Sequence, residues 1–278
     1  MEKLQAALAR AREKRDGSDL GGRGVRPELT ARKRSRQSAQ EQAIKDAWLA
    51  LEEFEPSAKR LINARVFTSE ATPDAQHFDI LRTKLLLEMR AHGWTRIAVT
   101  SATSICGKTT IAGNLITGLV RQPEVRGMLF DVDFRRPSVA KLFGAAPSAS
   151  LADVFTGDVP FAEQALRLSE NAVISMTTKV VKDPSSVINR ASTAEILDEI
   201  QAKYRPELML FDLPPILVSD ETRAFLKLMD AAIIVAGAES STVAQIDEVE
   251  REVAQYTNVA GIVLNKCRFM EEGYGYAY

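Results

Sequence analysis

The sequence predicts an α/β fold built on a mostly parallel, doubly wound sheet. Three observations carry that reading. From residue 95 onward, short apolar runs alternate with helical stretches, the order that builds βαβ units. The runs are nearly continuous in apolar residues, as expected when helices cover both faces of a sheet. The acids and one lysine capable of chemistry fall at the carboxyl ends of these runs, where such sheets hold their ligands.

The elements follow in order. Leu4, Ala7, Leu8 and Ala11 recur at helical spacing among basic residues, which predicts a short amphipathic helix. The stretch "DGSDLGGRGVRPELTARKRSRQS" (16–38) has almost nothing to bury and reads as a flexible linker. Helices are expected over 39–53 and 74–92. "RIAVTSA" (96–102) is the first strand, followed by a loop and the helical "KTTIAGNLITGLVRQ". Further strands are expected at 126–133, 171–176, 207–215, 230–237 and 259–265, with helices at 193–204, 220–229 and 241–255 between them. The domain reading is a basic arm over 1–38, a helical lead-in over 39–92, a phosphate-loop domain over 93–269 and a flexible tyrosine-rich tail over 270–278.

Composition narrows the chemistry. Of 278 residues, 45% are hydrophobic and 26% charged, with net charge −1, ordinary values for a soluble domain. There is no global case for nucleic-acid binding, although residues 1–40 carry a surplus of +6. That basic arm reads as a solvated segment or as a docking arm for a partner or an acidic membrane surface. Two cysteines, Cys106 and Cys267, and two histidines, His77 and His92, leave no disulfide framework and argue against a zinc site. The longest apolar run has eight residues, against about 20 for a membrane span. The N-terminus is too charged for a secretory signal, and the cytoplasm is the expected compartment.

"SATSICGKTT" follows the first strand and opens a helix, the context a phosphate loop requires. Gly107 lets backbone N–H groups turn toward an anion. Lys108 neutralises β- and γ-phosphates, and Thr109 offers a hydroxyl to Mg²⁺ beside the positive end of the helix. Ala102, Thr103, Ser104, Ile105, Cys106, Gly107, Lys108, Thr109 and Thr110 form the candidate nucleotide cradle. The first glycine of the generic pattern is Ala102 here. Taken with the alternating elements, this predicts a sheet of the phosphate-loop NTPase type, with ATP and Mg²⁺ as cofactors.

"MLFDVDFRRP" ends the next strand on Asp131 and Asp133. Carboxylates near bound phosphates hold Mg²⁺ directly or through water, or accept a proton from an attacking hydroxyl. Arg135 and Arg136 either contact phosphate or cover the acids. "LMLFDLPP" supplies Asp212, placed to reach the metal through water. The catalytic candidates are therefore Lys108, Asp131, Asp133 and Asp212, with Thr109, Asp133 and Asp212 as metal ligands. Of five tyrosines, Tyr274, Tyr276 and Tyr278 lie within the last five residues.

With these motifs in hand, residues 70–278 resemble the bacterial tyrosine kinases (BY-kinases) of capsular and exopolysaccharide biosynthesis. The pattern Asp131-x-Asp133-x-Arg135 after an apolar run is the most specific signal. The resemblance implies an ATP-dependent tyrosine autokinase that phosphorylates Tyr274, Tyr276 and Tyr278 in trans within a homo-oligomer, controlling polysaccharide polymerisation and export. It also implies a membrane polysaccharide co-polymerase as activator, a tyrosine phosphatase as a further partner, and a peripheral place at the inner membrane through a partner. Asp131 is then the expected proton acceptor, and carry-over from related ATPases sets Asn265 near the nucleotide base. The chain departs from the family at Ser104-Ile105-Cys106, where Pro-Gly-Glu is usual. Ile105, being β-branched, resists positive φ, which predicts weaker nucleotide binding or turnover. Cys106 is expected to be a buried thiol beside the phosphates. The family's helical Glu-x-x-Arg-x-x-Arg appears as Gln76, Asp79 and Arg82; only the last arginine survives, which counts against the family's ring octamer. Two rival readings are a partitioning or septum-placement ATPase, which transfers no phosphate to protein, and a catalytically weak scaffold of a polysaccharide-export complex. The lack of a second lysine near the loop start counts against the first.

Overall fold

The computed structural model describes residues 27–267, with side chains from residue 38. The expected leading helix, the linker as far as residue 26 and the tyrosine tail lie outside the described residues. The chain divides into two units, residues 1–43 and 44–278. The described part of the first is helical: α1 runs Pro27–Leu49. The helix expected over 39–53 thus starts earlier, and the linker reading fails from Pro27 onward. Proline at the first helical position is pre-set for a helix, and the Arg, Lys, Gln, Glu and Ala that follow are good helix formers. A helix needs no apolar stripe when its residues favour the conformation.

In the second unit β1 (Glu52–Glu53), α2 (Ala58–Asn63) and α3 (Gln76–His92) precede the first long strand, β2 (Arg96–Ser101). Then come α4 (Lys108–Gly118), β3 (Gly127–Asp131), α5 (Val139–Phe143), α6 (Leu151–Phe155), α7 (Phe161–Gln164), β4 (Leu166–Ser169) and β5 (Ala172–Ser175). The chain continues through α8 (Pro184–Ile188), α9 (Ala191–Tyr204), β6 (Leu208–Asp212), α10 (Asp220–Leu226), β7 (Ala231–Gly237), α11 (Val243–Val253) and β8 (Asn258–Asn265). The eight strands form one sheet in the order β1-β4-β5-β3-β6-β2-β7-β8. Every pairing is parallel except β4 with β5. The doubly wound α/β reading therefore holds, and each expected long strand is present. β1, β4 and the short helices escaped the sequence reading because two to six residues carry no measurable period.

Period-two alternation sends neighbouring side chains of each strand to opposite faces. In β6, Met209 and Phe211 join one hydrophobic cluster, and Leu208 and Leu210 join the other. The first cluster holds an aromatic relay. Phe130 stacks on Phe211 at 4.8 Å, and Phe161 meets Tyr204 edge-on at 5.3 Å. Trp48, at the end of α1, joins this cluster and donates its indole N–H to the Tyr204 carbonyl at 2.7 Å. The second cluster takes in α3 through Leu85, Leu86 and Met89, beneath α4. Burying both faces explains the nearly unbroken apolar runs. It also leaves the strand ends as the place where polar groups gather, with β2, β3 and β6 adjacent at the centre.

On α3, Arg82 is 4% exposed and pairs with Asp79 at 2.7 Å. Arg121 pairs with the same carboxylate. Burial pushes Asp79 up, but hydrogen bonds from Arg121 and Arg82 outweigh it and hold the carboxyl below its usual value.

Candidate active site

β2 delivers the chain to a tight loop over 102–107, and α4 opens at Lys108. Gly107 caps that helix with φ 92°, a left-handed conformation glycine adopts without penalty. A Cβ there would also lie 2.2 Å from Nδ2 of Asn265. That amide, at the end of β8, donates to the Cys106 carbonyl at 2.9 Å. Asn265 therefore braces the loop from β8, one strand beyond the β7 neighbour of β2. Ile105 takes φ 70° and stands 82% exposed. The loop thus imposes the left-handed conformation that the β-branched side chain was expected to resist, at a cost of about 1–2 kcal/mol.

Cys106 is buried, and its sulfur lies 3.5 Å from the Thr103 hydroxyl and 3.7 Å from that of Ser241. Burial pushes the thiol up. The Thr103 and Ser241 hydroxyls and backbone N–H groups overcome this and hold it below the usual thiol range. Ser101 donates to the Thr103 carbonyl at 2.6 Å, fixing the start of the loop. Ala102 is buried, whereas Ser104 is exposed.

Three strand ends meet beside the loop. Asp131 closes β3 and Asp212 closes β6, and the two are register partners across the parallel pair. Thr109 donates to Oδ2 of Asp212 at 2.5 Å, and its hydroxyl lies 2.7 Å from that of Ser138. Asp131 is wholly buried, and its Oδ2 accepts the N–H groups of Ser138 and Val139 at 3.0 and 2.9 Å. Oδ1 of each aspartate is buried without a hydrogen-bond partner. Burial pushes the Asp131 carboxyl well above the usual range, and the Asp212 charge adds to the rise. Burial raises Asp212 to about 6, against the pull of Lys108 and of the Thr109 hydroxyl, with Asp133 adding to the rise.

A cavity of about 720 Å³ opens in front of this group, with Gly107, Lys108, Thr109, Thr110, Asp133 and Ser138 on its wall. Lys108 is 8% exposed and forms part of the floor. Asp133, half-buried, accepts the Arg136 N–H at 2.9 Å. The structure thus brings Lys108, Thr109, Asp133 and Asp212 together. Asp131 stands behind the cavity wall rather than on it. The two arginines of the motif part company. Arg135 turns away to a buried carboxylate, Glu221, and Arg136 faces the cavity. Arg135 and the Ser219 hydroxyl outweigh the burial of Glu221 and hold it at about 2. Ser138, Arg60, Arg65, Lys141 and Lys266 also reach the site, and the sequence reading missed them. Ser138 follows the acidic motif in "RRPS", but its contact with Thr109 spans 29 residues. The four cations carry no local signal.

The donor set suits Mg²⁺. It takes one or two carboxylates, with waters and phosphates completing an octahedron. The Thr109 hydroxyl and the unpartnered oxygens of the buried aspartates are hard donors of that kind. Among the described residues no three His, Cys, Asp or Glu side chains group to hold a metal by themselves. Tyr274, Tyr276 and Tyr278 lie outside the described residues.

A parallel sheet, a glycine-capped loop opening a helix, Lys-Thr at its start and an acid on each of the adjacent strands define a P-loop NTPase. The chain belongs to the ParA family of these proteins. The family model, described as NUBPL iron-transfer P-loop NTPase, matches residues 94–276. Within that class its sequence relatives are bacterial tyrosine kinases. The putative tyrosine-protein kinase AmsA of Erwinia amylovora is 28% identical over 70% of this chain and 27% of its own length. The tyrosine-protein kinase YwqD of Bacillus subtilis is 22% identical over 77% of this chain and 90% of its own. Among solved structures, the kinase domain of Escherichia coli ETK superposes with a TM-score of 0.65. It is 21% identical and covers 75% of this chain and 82% of its own. The chain thus spans about a quarter of the AmsA-type relatives. No helix among the described residues is long and apolar enough to cross a membrane.

Proposed function

We propose that this chain is an ATP-dependent protein-tyrosine kinase. It phosphorylates its own Tyr274, Tyr276 and Tyr278 in trans and so regulates exopolysaccharide or capsule assembly. Residues 93–269 form the kinase domain, ahead of the tyrosine tail. One observation carries the reading: two buried aspartates with unpartnered oxygens flank Thr109 and Lys108 beside an open cavity. That arrangement is costly without a cation and phosphates to hold. The relatives' names as tyrosine kinases support the choice of acceptor.

In this mechanism the loop N–H groups and Lys108 hold the β- and γ-phosphates of ATP. When bound, Mg²⁺ would be held by Thr109, Asp133 and Asp212 and would neutralise charge on the phosphates. A tyrosine oxygen from a second copy attacks the γ-phosphorus. The new O–P bond forms as the bond to the β-phosphate oxygen breaks, and ADP leaves. The phenolic proton is assigned to Asp131, whose Oδ1 has no other partner; because Asp131 is buried behind the cavity wall, the transfer requires the side chains in front of it to part when the tyrosine enters. Asn265 holds the loop through the Cys106 carbonyl. Positioning and charge neutralisation supply most of the rate. The partners in this reading are a membrane polysaccharide co-polymerase as activator, further copies of the chain and a tyrosine phosphatase. It places the chain in the cytoplasm, held at the inner membrane by that activator.

The test is incubation of the pure chain with Mg-ATP, with and without an activator fragment, followed by phosphotyrosine detection. Signal on the wild type and a loss of at least about a hundredfold in Lys108→Met is the expected result. ATP hydrolysis with no phosphotyrosine in any condition would instead support the partitioning-type ATPase. Nucleotide binding with neither activity would support the scaffold.

A further inference from the structure

Five cations ring the cavity mouth: Arg60, Arg65, Arg136, Lys141 and Lys266. Four are exposed and Arg60 is half-buried, so they form a rim above the buried Lys108. None of the five has an ion-pair partner among the described residues. Six other arginines, Arg82, Arg96, Arg121, Arg135, Arg167 and Arg223, each face a carboxylate; what marks the five is that they gather around one cavity. Asp133 is the one acid on the cavity wall among the described residues.

Arg60 is fixed in place without being neutralised. Its Nη2 donates to the Lys141 carbonyl, and its side chain lies over Gly144, where an added Cβ would come within 3.4 Å of it. Its Nε is buried with no hydrogen-bond partner. Clustered like charges repel, and a low-dielectric cleft concentrates their field on an incoming anion. Lys108, the loop N–H groups and the helix end already serve the phosphates on the floor. The rim cations remain for something else.

The chain's own acceptor segment has matching chemistry. Residues 270–278 read "MEEGYGYAY", with Glu271 and Glu272 just ahead of Tyr274. We infer that the rim of Arg60, Arg65, Arg136, Lys141 and Lys266 is an acidic-peptide subsite, which selects tyrosines that follow carboxylates. The inference rests on the kinase reading for its purpose, but the peptide binding stands or falls independently.

The experiment uses the full chain and fluorescein-labelled peptides of residues 270–278. One peptide is native, one carries Glu271→Gln and Glu272→Gln, and one carries Glu271→Lys and Glu272→Lys. Binding is read by fluorescence anisotropy with Mg²⁺ and a non-hydrolysable ATP analogue. The native peptide should bind about tenfold tighter than the neutral one at low salt, with the gap closing as salt rises. A chain carrying Arg65→Glu and Lys141→Glu should reverse the order and prefer the lysine peptide. Equal affinity for all three peptides overturns the subsite and assigns the rim to nucleotide alone. Phosphotyrosine is measured on the same peptides with Mg-ATP. Transfer to native and neutral peptides at one rate, with equal binding, rejects the subsite and leaves the kinase standing. A binding preference with no transfer to any peptide keeps the subsite and rejects the kinase.

Discussion

Asp212 is where single-residue chemistry and folding conflict most. Its carboxyl is raised to about 6 because burial disfavours the charge more than Lys108 and Thr109 favour it. Between the ordinary value of 3.8 and about 6, the folded state holds a proton that the unfolded state has released. Stability from this group is therefore full at low pH and is lost as pH rises through that window. The loss at neutral pH is about 3 kcal/mol. Asp212→Asn should raise the melting temperature of the nucleotide-free chain at pH 7.5 by about 5 °C and flatten its dependence between pH 4 and 7. Nucleotide affinity should fall in the same variant. Thermal unfolding across pH checks the first, and calorimetry with Mg-ATP checks the second. An unchanged pH profile would mean that the carboxyl is not the destabilising group. The sequence placed Asp212 at a strand end. Burial to 1% exposure beside Asp131 was not legible there, because the juxtaposition arises from strand order.

At the scale of elements, the loop between β2 and α4 is held from outside itself. Gly107 is required by its φ of 92° and by the Asn265 amide, which occupies the space of a side chain. Gly107→Ala should cost about 2 kcal/mol or more, part conformational and part steric. Asn265→Ala removes the obstacle but leaves the Cys106 carbonyl without its donor. The double variant should then be less destabilised than the sum of the two by about 1 kcal/mol. Denaturant unfolding of the four proteins measures the coupling, and strict additivity would deny the contact. The Gly-Lys-Thr signature was readable because phosphate loops are local. Its brace was not, since Asn265 lies 159 residues from Cys106. The same distinction divides Arg135 from Arg136. They are adjacent in sequence, yet one binds Glu221 and the other faces the cavity.

For the whole molecule, two features make association testable. Among the described residues β8 ends the sheet, paired only with β7, and leaves Ile262 and Leu264 46% and 58% exposed. An open apolar edge invites pairing with another chain. Leu264→Lys should slow the growth of light scattering on heating while leaving the melting temperature nearly unchanged; an unaltered time course would show that the edge is not where chains meet. Arg82, the surviving arginine of the family's helical signature, is turned inward to Asp79 and Gln122. It is not placed to serve a ring interface. Association should respond instead to charge on the tail, where each phosphate adds about −1.5 to −2. After ATP treatment, the wild type should have a smaller mass by light scattering than a Tyr274→Phe, Tyr276→Phe, Tyr278→Phe variant. Equal masses would separate phosphorylation from assembly.

The sequence by itself determined the alternating order of strands and helices, the phosphate loop and the acids at the strand ends. Each of these is written in contiguous residues whose spacing has a local physical meaning. Only the tertiary structure decided which acids lose their water, which arginine meets the cavity, and that α2, α5 and the end of β8 bring a ring of cations to the mouth. Those outcomes depend on strand order and on packing between segments far apart in the chain, where burial and field strength are set by neighbours that no local pattern names.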